Sequence, residues 1–196
     1  MDGRITAPAP GQTALLIVDM INDLDFDDAE AIRQPALAAA EAILALRDAA
    51  DAADVPVIYV NDNGDRWHSD RSALVARVQD HGGPGADIAR RLTPRDADYF
   101  VIKPQFSGFY ATNLPVLLPR LEASRLILTG IAADICVLFT AADAHMREYG
   151  LWVPADTVAS FDQQRTRWAL DIMAGTMGAD VRATTDLSLE DWLQAI

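Results

Sequence analysis

Cysteine is almost absent from this chain: Cys136 is the only one among 196 residues. A single thiol excludes an internal disulfide framework and any cysteine-rich zinc site. Positive charge is also scarce, with 16 basic residues against 29 acidic ones and a formal net charge of -13. That balance excludes the clustered Lys and Arg surface that nucleic acid requires, and it offers no basic patch to an anionic membrane. No apolar run approaches the roughly 20 residues of a membrane-spanning helix. The opening stretch MDGRITAPAPGQ has neither a basic nor an apolar region of the kind a signal peptide needs. Internal repeats, low-complexity tracts and linkers are missing too. These absences leave one domain over residues 1–196, long enough for a substantial core, in a reducing cytoplasm where a lone thiol stays free.

What is present is an alternation of strand-like and helix-like segments. ALLIVD (14–19), VPVIYV (55–60), DYFVIK (98–103), RLILTG (125–130), LWVPA (151–155) and DVRAT (180–184) read as six strands. Helical spacing of apolar residues covers 29–53, with Pro35 expected in the first turn, and recurs near 112–118, 135–149 and 161–174. Residues 61–85 are polar and interrupted by glycine, so they read as a long loop with some helix. Buried strands separated by helices imply an α/β fold: a three-layer α/β/α sandwich around a six-stranded, mostly parallel sheet of Rossmann-like topology. In such folds the ligand sits beyond the carboxyl ends of the strands.

That rule selects three residues. The first strand ends at Asp19, the third at Lys103, and the fourth leads within a few residues to Cys136. If those strands are neighbours, a carboxylate, an ammonium and a thiol converge. A free thiol, with a pKa of ~8.5, is only a few per cent thiolate at neutral pH. A helix N-terminus and a nearby Lys would lower that value. Asp19 could hold the thiol proton and pass it to a leaving amine. Singly, each residue has a structural reading: a core cysteine, a turn aspartate, a solvated lysine before Pro104. Their joint placement favours chemistry.

The stretches ALLIVDMINDL (14–24), VIYVNDNGDRW (57–67), VIKPQFSGFYATNL (101–114) and LILTGIAADICVLFTAADA (126–144), with VPADTVAS (153–160), resemble the isochorismatase-like cysteine hydrolases. That superfamily includes nicotinamidases, N-carbamoylsarcosine amidases and ureidoacrylate amidohydrolases. The resemblance implies a catalytic triad of Asp19, Lys103 and Cys136. It also implies a non-proline cis peptide between Ile131 and Ala132, and an oxyanion hole from the N–H groups of Ala132 and Cys136. The implied reaction is hydrolysis of a carbon–nitrogen bond through a thioester, with Lys103 keeping thiolate and carboxylate charged. It further implies a homodimer or homotetramer acting on a small molecule.

Departures from the family pattern narrow the reading. Nicotinamidases carry an Asp-x-His metal element after the second strand; here Asn61-Asp62-Asn63-Gly64 puts glycine at the histidine position. His68 and His81 read as loop residues, so no metal and no cofactor are expected. Many members have Gln two residues after the catalytic Asp, where this chain has Ile21. Candidate substrate contacts are Leu24, Trp67, Phe106, Ser107, Phe109 and Tyr110, with Trp67 and Phe106 foremost. His145 reads as structural, and Asp134 and Asp143 as acids at the start and on the surface of a helix. Two alternatives stay open: isochorismatase-type vinyl-ether hydrolysis, which has no evident need of a thiol, and a non-catalytic binding member of the same fold. Phosphoaspartyl chemistry and nucleotide binding lack their acidic pair and glycine-rich motifs.

Overall fold

A computed structural model describes residues 12–64, 70–83 and 85–195. Six strands form one sheet: β1 (Gln12–Val18), β2 (Val57–Asp62), β3 (Tyr99–Lys103), β4 (Ala123–Ile131), β5 (Gly150–Trp152) and β6 (Val158–Ala159). Their order is β3-β2-β1-β4-β5, with β6 on β4, and every pairing is parallel. The helices are α1 (Ala29–Ala52), α2 (Arg71–His81), α3 (Ala86–Arg91), α4 (Leu114–Arg120), α5 (Leu138–His145), α6 (Gln163–Met177) and α7 (Leu189–Gln194). A π-helical turn over Ala133–Val137 joins β4 to α5.

Alternation along the central strands builds two cores. Leu15 and Ile17 of β1, with Tyr59 of β2, pack under α1, α2, α3 and α7. Ala14, Leu16 and Val18, with Ile58 and Val60, pack under α4, α5 and α6. Side chains of a strand point to opposite faces in turn, so a continuous apolar run serves both layers. The α/β/α sandwich inferred from the sequence follows from this. None of the described helices is long and apolar enough to cross a membrane.

Three local readings need correction. Residues 180–184 form no strand: Asp180 makes a single bridge to Trp152, after which Arg182 and Thr184 turn their N–H groups to the Asp180 and Asp156 carboxylates. The sixth strand is Val158–Ala159, which pairs with Gly130 and Ile131 where β4 has outrun the three-residue β5. Pro35 lies at the seventh position of α1, because the helix already starts at Ala29 after an Asp28 of left-handed φ 61°. Finally, α7, the helix α2 inside the long polar segment and α3 just after it carry too little apolar periodicity to be read with definite bounds.

The chain order reverses between β1 and β4: β2 and β3 extend the sheet one way, β5 the other. This switch point opens a crevice at the carboxyl ends of the strands. Gly130 makes the exit from β4 possible. Its φ of 110° belongs to glycine, and a Cβ there would stand 2.0 Å from the Val18 carbonyl oxygen.

Candidate active site

Three side chains meet in that crevice. Asp19 follows β1 with φ 53°, a left-handed conformation that Asp tolerates better than most residues. Its Oδ1 accepts the Asp62 backbone N–H at 2.7 Å, and its Oδ2 lies 2.8 Å from Lys103 Nζ. Lys103 Nζ is also 3.4 Å from Cys136 Sγ. Lys103 has no solvent exposure, and Asp19 is only 5% exposed. The strands carrying Asp19 and Lys103 are not neighbours, as the simplest sequence reading supposed, since β2 lies between them. Two strand spacings amount to ~9.5 Å, and a long lysine side chain spans β2 to reach the carboxylate.

The partners of each group are fixed from behind. The carboxamide of buried Asn61 donates to the Ile21 carbonyl at 2.8 Å and accepts the Ile21 N–H at 3.4 Å, holding the loop after Asp19. Gly85 lies against the same loop so closely that a Cβ would meet the Asn22 carbonyl oxygen at 1.8 Å. The Ile131–Ala132 peptide is cis. The Ala132 carbonyl accepts from the N–H groups of Ile135 at 3.0 Å and Val137 at 3.2 Å, which winds the turn that carries Cys136. Asp134 in this turn is tied at 2.5 Å to Arg165 of α6, and it accepts the Ser160 hydroxyl. Asp134 is therefore an anchor of the cysteine turn as well as a helix-start acid. Asp143 likewise holds both Arg147 and Ser107.

Electrostatics in the triad differ from the thiolate picture. Burial raises the Cys136 thiol above its ordinary range, and the Asp19 carboxylate raises it further against the opposing pull of Lys103. Burial also raises Asp19, with Lys103 pulling it back most strongly. For Lys103, burial lowers the pKa, but Asp19, Cys136 and Asp62 together outweigh it and the ammonium is held. One buried cation can balance one anion. A carboxyl is intrinsically more acidic than a thiol, so the resting site holds carboxylate, ammonium and thiol.

The crevice above the triad is small, about 220 Å³. Its walls carry Asp19, Asn22, Asp62, Ala132 and Cys136 as polar or backbone groups, and Phe26, Ile32, Phe106, Ile131, Ile135 and Phe161 as apolar ones. Of the predicted contacts, Phe106 lies here. Leu24 does not: it is 2% exposed and packs in the core with α1. Phe109 is also core, with Tyr149 beside its ring and the Arg147 guanidinium above it. Ser107 hydrogen-bonds Asp143, and Tyr110 is exposed; both border a second depression with Phe139, which shares Phe106 with the crevice lining. Trp67 and His68 lie outside the described residues, as does the His81 side chain. Among the described residues no three His, Cys, Asp or Glu side chains cluster as a metal site would require.

Sequence reasoning overlooked Asn22, Phe26, Asp62 and Phe161. Asp62 ends β2 as Asp19 follows β1, so the strand-end rule could have found it. The aromatic pair Phe26–Phe161, with centroids 5.9 Å apart, joins residues distant in the chain and has no local signature. A stronger signal lay in composition. Lys103 is the only lysine of the chain, the other fifteen basic residues being arginines, and it touches the only cysteine.

The fold and the comparisons together define the class: the chain belongs to the isochorismatase family, whose Isochorismatase domain matches residues 13–186. It is 40% identical over 168 residues to the uncharacterized isochorismatase family protein YaaI of Bacillus subtilis, covering 86% of this chain and 92% of that one. To the ureidoacrylate amidohydrolase RutB of Serratia proteamaculans it is 29% identical over 200 residues, covering 85% of this chain and 79% of that one. Among solved structures it resembles the N-carbamoylsarcosine amidase of Thermoplasma acidophilum. The TM-score is 0.70 and the identity 28%, with 90% of this chain and 99% of that one covered. Its relatives include amidohydrolases, which supports a hydrolase function.

Proposed function

We propose that this protein is a cysteine hydrolase that cleaves a carbon–nitrogen bond, of amide or ureide type, in a small molecule through a thioester. The observation that carries the reading is the contact of a fully buried ammonium with both Asp19, at 2.8 Å, and Cys136, at 3.4 Å. As Sγ attacks the carbonyl carbon, its proton passes to Asp19, and Lys103 offsets the charge on sulfur and carboxylate. The backbone N–H groups of Ala132 and Cys136, two residues that line the crevice, stabilise the oxyanion. Collapse of the tetrahedral adduct expels the amine, which takes the proton from Asp19. A water then gives a proton to Asp19 and attacks the thioester, releasing the acid and restoring the thiol.

A thiol raised in pKa at rest is compatible with this sequence, because deprotonation accompanies attack and a full thiolate need not accumulate. Vinyl-ether hydrolysis needs a proton delivered to carbon, and the thiol would be idle. A panel of small amides, ureides and vinyl ethers, assayed for ammonia and pyruvate, tests the assignment. Cys136→Ala should lose all turnover of amides, and Cys136→Ser nearly all. Intact mass after acid quench should show an acyl adduct on the wild-type chain. Undiminished activity in Cys136→Ala would refute the nucleophile.

A further inference from the structure

One carboxylate of the crevice carries no proton and forms no bond in that reaction, although its charge helps to hold the Lys103 ammonium. Asp62 is in register with Lys103 across β2 and β3, yet its Oδ2 stands 3.6 Å from Nζ, beyond a hydrogen bond. Its Oδ1 accepts the Gly64 N–H at 2.7 Å. The side chain is 42% exposed and forms part of the crevice wall beside Asp19 and Cys136. A carboxylate offers about four acceptor positions, and the hydrogen bond from Gly64 uses one. The ammonium nearby is already committed to Asp19 at 2.8 Å. Among the described residues, the crevice wall carries no Arg or Lys side chain that could receive an anion.

We infer that Asp62 is a specificity-determining residue. It accepts an N–H from the substrate beside the reacting carbonyl, so the site takes small amides or ureides whose body is neutral or cationic and disfavours those bearing a carboxylate. This rests on the C–N hydrolase reading. The apolar walls, Phe26, Phe106 and Phe161 among them, would hold the body of such a molecule, while Asp62 and Asn22 face its polar end. A substrate carboxylate within ~5 Å of Asp62 would be disfavoured about tenfold by like-charge repulsion at a partly solvated wall.

The test needs no known substrate, because Cys136 is the only thiol. Alkylation rates with neutral iodoacetamide and anionic iodoacetate, each divided by the rate with glutathione, report the field at Sγ. The wild-type protein should favour iodoacetamide by about tenfold or more after that correction, and Asp62→Asn should remove most of the preference. Asn keeps an acceptor for the Gly64 N–H, so the backbone after β2 is preserved and the change reports charge. Asp62→Arg should invert the preference. In turnover, Asp62→Asn should raise KM for cationic amides and lower it for anionic ones, with a smaller change in kcat. An alkylation ratio that Asp62→Asn leaves unaltered, or a wild-type preference for iodoacetate, would overturn the inference whatever reaction the enzyme catalyses. Failure of the amide panel with the expected alkylation ratios would instead overturn the hydrolase reading and leave the charge selectivity standing.

Discussion

Replacing Lys103 by Met keeps much of the side-chain volume and removes the one positive charge that, among the described residues, pairs with Asp19. At an effective dielectric of about 20, unit charges 2.8 Å apart interact by ~6 kcal/mol gross, most of it offset by the cost of burying both. Breaking such a pair from one side usually costs about 3–5 kcal/mol, because an uncompensated charge is left behind. The loss must depend on pH, and its sign can be worked out. In Lys103→Met the folded Asp19 is raised by burial without the lysine's opposing pull. Between the unfolded carboxyl value of ~3.9 and the higher folded value, the native state binds more protons than the unfolded one. Stability of the variant should therefore fall as pH rises through that window, by up to ~1.4 kcal/mol per pH unit. Urea unfolding from pH 4.5 to 8.5 should show the wild type and variant diverging as pH increases. Adding Asp19→Asn should recover most of the loss at pH 8 and flatten the dependence, since Asn still accepts the Asp62 N–H and tolerates positive φ. In activity, the 3.4 Å contact with sulfur implies ~5 kcal/mol for a full thiolate, and with about half the charge developed kcat/KM should fall by close to 10²-fold. A destabilisation independent of pH, or a double variant as unstable as Lys103→Met, would refute the coupling.

Iodoacetamide should alkylate wild-type Cys136 slowly at pH 6 and faster as pH rises past 8.5, because burial and the Asp19 carboxylate both raise the thiol. Asp19→Asn should move that profile to lower pH, and a wild-type rate already at plateau below pH 7 would contradict the resting thiol. Gly130→Ala should cost about 3 kcal/mol or more, from a forbidden φ and a 2.0 Å clash with the Val18 carbonyl, measured by urea unfolding. Asp134→Ala should lower kcat more than it alters KM, since it frees the cysteine turn from Arg165 and leaves Ser160 held by the backbone N–H alone, without touching the crevice wall. An unchanged kcat in a folded Asp134→Ala would show that the anchor is dispensable.

Most of the architecture was legible because it depends on patterns that survive without neighbours: a continuous apolar run for a strand buried on both faces, and acids, lysine and cysteine at strand ends. The crevice wall was less so. Leu24 and Phe109 are apolar and near the motifs, but apolar character is the same on a core side chain and on a pocket wall. Only packing against α1, or against Tyr149 and Arg147, decides the matter. Val158–Ala159 could not be seen as a strand, since two residues carry no period and their pairing exists only because β4 outruns β5. Lys103 is the instructive case. A chain that meets every other need for positive charge with arginine still places one lysine at the end of β3. Arginine carries a broad planar fork, whereas this position has no exposure and must direct a compact charge at a carboxylate and a sulfur together. Lys103→Arg should therefore behave as a disruptive substitution, with kcat/KM reduced nearly as far as in Lys103→Met although the formal charge is kept. Activity close to wild type in Lys103→Arg would mean that charge alone suffices, and that the lysine's shape has no part in the chemistry.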